Sequence, residues 1–179
     1  MATVGIHLVW TTYGTWLPGD DRGHWSPLFD FYGHLLECGG KLNRGDLASQ
    51  QQARERMTEP AKVLSNEERL VVAETLGTLV GGAEQPRAYA AAIEETHVHL
   101  LLGPVAEDIG KAAGRFKGKT SSAVLQLPAS RERQRTWTAK YWKVFLFDET
   151  AFAAVKQYIE AHNIRRGLPA SPFSWISAI

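Results

Sequence analysis

The sequence predicts an α+β domain: an antiparallel β-sheet with helices packed against it. Three observations lead there. Short β-branched and aromatic runs occur at 4–12, 86–102 and 141–147, stretches with helical spacing lie between and after them, and two of the runs are joined by a tight Glu-Glu-Thr connection. A length of 179 residues fits one domain, 1–179, and a 44% hydrophobic fraction can fill a sizeable core.

Each element has its own justification. VGIHLVWTT, 4–12, is rich in strand-forming residues, and TYGTWLPGDDRG then breaks it with Gly, Pro and Asp. Residues 34–62 are polar and rich in Gln and Arg, the composition of an insertion or mobile segment. In SNEERLVVAETLGTLV, Ser65 or Asn66 can cap a helix whose first turn is acidic, and Leu70, Ala73, Leu76 and Val80 recur at helical spacing before Gly81 and Gly82. PRAYAAAIEE and THVHLLLGP read as an antiparallel strand pair. A helix over about 107–127 follows, then the strand YWKVFLF, 141–147, and a last helix begins at the N-cap Asp148. Its apolar stripe is Phe152, Val155 and Ile159. From 167 to 179 the Pro- and Ser-rich tail should be irregular.

Composition narrows the functional classes. No apolar run is long enough to span a bilayer, and MATVGIHLVW lacks the basic flank and cleavage site of a signal peptide, so a cytoplasmic location is expected. A single cysteine, Cys38, excludes an internal disulfide and a multi-cysteine zinc site. The net charge of +1 hides an asymmetry: residues 111–166 hold twelve Lys or Arg and four Asp or Glu, a net of +8, leaving −7 for the rest. That half can form a phosphate-facing surface, or simply the solvated faces of helices.

Chemistry concentrates in THVHLLL, 96–102. In a strand His97 and His99 point to one face while Val98, Leu100 and Leu102 point to the other. Two imidazoles on one face serve either as metal ligands or as a hydrogen-bonded core pair. The last helix contains Tyr158 and His162 at i and i+4, on one face beside the apolar stripe. His162 could then join His97 and His99 around one metal, leaving open coordination positions, with a phenol one turn away. A phenol with a pKa near about 10 needs a cation and a polarised electrophile to act as nucleophile. The bland alternative is a tyrosine covering the core edge with its hydroxyl in water.

These residues resemble the single-tyrosine HUH endonucleases, and within them the REP-associated tyrosine transposases. The His-hydrophobic-His motif matches His97, Val98 and His99, and YIEAHNIRRGL lies over the family's tyrosine-helix motif Tyr-Ile-x-x-Asn-Pro-x-Arg-Ala-Gly-Leu. WTTYGTWLPGD and YWKVFLF look like this family too. The resemblance implies a ferredoxin-like sheet of the HUH type, Tyr158 as nucleophile, His97, His99 and His162 as metal ligands, and Mn or Mg as the ion. It implies cleavage and strand transfer of single-stranded DNA near hairpins through a 5′-phosphotyrosine intermediate, as a monomer or a homodimer. Three departures from the family pattern matter: His162 stands where Asn is usual, Asn163 replaces Pro, and Thr96 precedes the first histidine where Asn is common. Three imidazoles suit Mn or Zn better than Mg, which prefers oxygen ligands.

DNA contacts are expected from the basic half. IGKAAGRFKGKTSSAVLQL carries Lys111, Arg115 and Lys119 on one stripe with Lys117 nearby, and Gly110, Gly114 and Gly118 on a second that invites close approach of another backbone, from the sheet or from DNA. Arg131, Arg133 and Arg135 interleave with aromatics, of which Trp137 is expected to be exposed for base stacking, and Arg165 and Arg166 follow the tyrosine. Two competing readings are a hairpin-binding protein that has lost cutting and a metal-dependent hydrolase unrelated to DNA.

Overall fold

A computed structural model describes residues 2–20 and 46–178, and the alternating runs there become four strands. β1 is Gly5–Thr11, β2 Ala88–Ile93, β3 His97–Leu102 and β4 Trp142–Leu146. They form one antiparallel sheet in the order β2-β3-β1-β4. With helices α1 (Leu47–Glu55), α2 (Asn66–Gly77), α3 (Ile109–Leu125) and α4 (Glu149–Arg165) between and after the strands, the chain has the split βαβ order of a ferredoxin-like sheet.

Capping residues fix where the helices begin. Ser65 closes a capping box on α2: its hydroxyl accepts from Glu68 N at 3.2 Å, and the Glu68 carboxylate accepts from Ser65 N at 2.8 Å. Lys62 and Ser130 also bind that buried carboxylate, so the α2 N-terminus is tied to the turn after α3. Asp108 caps α3 and Asp148 caps α4, each accepting from the backbone three residues on. Beyond α4, Gly167 takes φ +74°, the left-handed conformation that ends a helix, and Leu168 N returns to Asn163 O at 3.0 Å.

The sheet separates two apolar layers. Leu8, Trp10, Val98 and Leu100 pack with α2 and α3, whereas Leu101, Ala90 and Ala92 pack with Phe152, Val155 and Ile159 of α4. Fully burying these three α4 side chains contributes about 1.5–3 kcal/mol each, which seats the helix on its sheet face. Asn163 adds a polar anchor, its amide donating to Ala91 O and Ala170 O at 2.9 Å. The tail has no helix or strand through residue 178, and it is pinned where Ser177 N donates to Ala88 O and Trp175 lies against Gly77.

The structure departs from the sequence reading at several points. Leu70 is exposed and Val72 takes its place in the α2 stripe, because the capping box turns Glu68, Val72 and Leu76 toward the core. Of the expected insertion or mobile segment, residues 46–62 are described and contain α1, capped by Asp46 and with no buried side chain. Residues 34–45, including Cys38, lie outside the described residues. The glycines of α3 do not break the helix, and a methyl group at Gly114 or Gly118 would meet nothing within 4 Å. The sheet backbone therefore does not approach them. Among the described residues no helix is long and apolar enough to cross a membrane.

Candidate active site

Strand alternation and register assemble the site. Residues directly opposite across an antiparallel pair share a sheet face, and β1 pairs with β3 so that Thr11 faces His97, Val9 faces His99 and His7 faces Leu101. Leu101 belongs to the layer under α4, so His7, His97 and His99 all point toward that helix. Seated by its apolar stripe, α4 brings Tyr158 and His162 over them. Ring centroids lie 4.7 Å apart for His99 and His162, 4.8 Å for His97 and His99, and 5.8 Å for His97 and His162. The Tyr158 ring is 4.8 Å from His162 and 5.5 Å from His99. All five residues come from one chain.

The donor set fits a divalent transition ion. One nitrogen from each of His97, His99 and His162 lies within 4.8 Å of the others. An ion held by all three nitrogens through bonds near ~2.1 Å would need them somewhat closer together than that. Each ring is held at Nδ1: by the Thr96 hydroxyl at 3.1 Å for His97, by His7 Nε2 at 3.1 Å for His99, and by Glu94 Oε1 at 3.2 Å for His162. Nε2 is then the nitrogen each ring can offer an ion. For His162 that atom is buried and has no hydrogen-bond partner among the described residues.

Burial tunes the protonation states. It drives His99 well below the ordinary histidine value, helped by the neighbouring imidazoles, and pulls His7 down to about 3, so both rings are neutral with lone pairs available. It pushes the Tyr158 phenol up to about 12, while the Arg165 charge pulls the other way. Burial also pushes the Glu94 carboxyl up, but the His162 hydrogen bond and the Arg166 charge outweigh it and hold Glu94 below the usual carboxylate range.

A family model described as "Transposase IS200 like" matches residues 59–162, more than half of the chain, and spans both strand histidines, the tyrosine and the helix histidine. The chain belongs to the IS200-like transposase family. The protein is thus a transposase, with DNA as its substrate class. Two solved structures are also similar to it. One is assigned as a transposase of Deinococcus radiodurans R1, with 14% identity over 90% of this chain and 92% of that one and a TM-score of 0.43. The other is a REP-associated tyrosine transposase bound to a REP hairpin, with 9% identity over 93% of this chain and 70% of that one and a TM-score of 0.44. Neither superposition is more than a loose likeness. No curated protein sequence matches the transposase.

The expected DNA-contacting residues divide into two groups. Lys111, Lys119, Arg131, Arg135 and Arg165 are exposed. The others have internal partners: Arg115 pairs with Glu107, Arg133 with Glu59 and Pro60 O, and Arg166 with Glu94 and Ile93 O. Lys117 donates to the carbonyls of Thr138, Ala139 and Lys140, and burial pulls its ammonium down to about 8. Trp137 is not exposed as expected. Only 7% of it is accessible, its indole N–H donates to Thr120 Oγ1 at 3.0 Å and its ring meets Trp10 edge-on, which makes it a core residue. His7, Glu94 and the role of Thr96 escaped the sequence reading. The signal for His7 was its odd position in VGIHLVW, in step with the β1 residues that face α4, which can be read only once the β1–β3 register is known.

Proposed function

We propose that the transposase cuts and rejoins single-stranded DNA near hairpins by a tyrosine HUH mechanism, as the REP-associated tyrosine transposases do. The observation that carries this reading is the convergence of three imidazoles on one point with a phenol one helical turn away. His97, His99 and His162 hold a divalent ion, and their nitrogen set suits Mn(II) ahead of Mg(II). When bound, the ion supplies Lewis-acid polarisation of the scissile phosphate.

The chain's own residues do the rest. His7 and Glu94 keep two of the rings directed inward. Tyr158 Oη attacks phosphorus as the bond to the 3′ oxygen breaks. The phenolic proton is lost, the departing 3′ oxygen takes up a proton, and the phosphate remains as a 5′-phosphotyrosine. Because the new ester conserves the phosphodiester, a 3′-hydroxyl from another end can reverse the step and join strands. Arg165, whose charge reaches both Tyr158 and His99, favours phenolate over the protonated form that burial imposes. Of the residues expected to contact DNA, Lys111, Lys119, Arg131 and Arg135 are exposed and available to its backbone.

Labelled hairpin DNA incubated with the protein and Mn(II) should give a covalent, protease-sensitive adduct, and Tyr158→Phe should give none. A wild-type protein that binds the hairpin without forming an adduct would support the non-cleaving alternative. An adduct formed by Tyr158→Phe would remove Tyr158 from its role.

A further inference from the structure

We propose that Glu94 is a positioning residue that fixes the His162 ring in the tautomer and direction a metal ligand needs before any ion arrives. The proposal rests on the reading of His97, His99 and His162 as an ion site.

The three ring partners are chemically unequal. A hydroxyl, as on Thr96, donates or accepts, and so does a neutral imidazole such as His7. Neither dictates where its neighbour's proton sits. An ionised carboxylate only accepts. With Glu94 Oε1 3.2 Å from His162 Nδ1, the proton belongs on Nδ1 and the lone pair on Nε2, the buried atom without a hydrogen-bond partner among the described residues. Buried polar atoms left in that condition are uncommon and call for an explanation such as an ion.

Glu94 is itself held in place. Its backbone N donates to His97 O at 2.8 Å, so its main chain is fixed by the strand that bears the first ligand. Its second carboxylate oxygen faces Arg166 Nε at 3.7 Å, and Arg166 Nη1 donates to Ile93 O at 2.6 Å. His162 in the last turn of α4 and the C-cap Arg166 are i and i+4, so one side chain in the β2–β3 connection receives both. A carboxylate behind a ligating imidazole also raises its basicity, and losing such a partner typically costs about 10- to 100-fold in metal affinity. A plain tie between helix end and turn would need the Arg166 contact alone.

The test uses metal-free protein labelled with ¹⁵N in its histidines. Wild type should show His162 in a single Nδ1–H tautomer, and Glu94→Ala should give mixed tautomers with Mn(II) affinity lowered by about 10- to 100-fold. Glu94→Gln, which still offers a carbonyl oxygen without the charge, should recover much of the tautomer and part of the affinity. Glu95→Ala, next along the chain, should change neither. If Glu94→Ala keeps the Nδ1–H tautomer and the Mn(II) affinity while His162→Ala loses affinity, the proposal is overturned and the ion site stands. If His162→Ala leaves Mn(II) affinity unchanged, the ion site fails, and the tautomer in metal-free Glu94→Ala still decides what Glu94 does to the ring.

Discussion

One sheet presents two unlike faces. Under α2 and α3 the side chains are almost entirely apolar, with Leu8, Trp10, Val98, Leu100 and Phe116 closing on one another. Under α4 the apolar contacts of Phe152, Val155 and Ile159 occupy part of the face, and the remainder holds His7, His97, His99 and His162 beside Tyr158. Both faces derive from the same strands, since alternation sends each odd residue of β1 and β3 one way and each even residue the other. The first face supplies stability, which allows the second to bury polar rings that contribute to packing only through their partners.

That contrast can be broken at several points. The largest effect should come from the apolar face: Phe116→Ala should cost about 3–5 kcal/mol in a urea melt, with Mn(II) affinity of the folded protein unchanged. A loss of ion affinity larger than the loss of stability would mean the faces are coupled.

Acid should act on the other face. Folded His7 protonates near pH 3 but unfolded His7 near 6.5, and His99 shifts in the same direction. The unfolded state therefore binds more protons in between, so stability present above pH 6.5 is lost as pH falls toward 3. The urea midpoint should drop across that window in the wild type and drop less in His7→Gln. A midpoint independent of pH there would contradict the burial of neutral imidazoles.

The smallest effect is expected at Gly114. With open space around its missing side chain and a helical backbone, Gly114→Ala should gain roughly 0.5–1 kcal/mol. A simultaneous fall in hairpin affinity would mean that a DNA backbone uses the gap. Unchanged affinity would leave the glycine stripe without a role in binding.

The same contrast explains what the sequence made legible. Strand period and helical spacing are rigid, so His97, His99, Tyr158 and His162 could be grouped by face from THVHLLL and YIEAH alone. Partners that depend on register or on a turn could not: His7 meets His99 only through the β1–β3 alignment, and Glu94 reaches α4 from the β2–β3 connection. α1 has no apolar stripe to announce it and follows from its Asp46 cap and local propensity. Charged residues were least legible. Their long side chains find local partners, as Arg115, Lys117, Arg133 and Arg166 do, so a basic stretch counts more cations than it can offer to DNA.

The most direct test is a crystal of the protein soaked in Mn(II) and measured at the manganese absorption edge. The account predicts one anomalous peak about 2.0–2.3 Å from a nitrogen of each of His97, His99 and His162, with the Tyr158 hydroxyl facing the same cavity. A peak bound elsewhere, or three rings hydrogen-bonded to one another with no ion among them at saturating Mn(II), would contradict it.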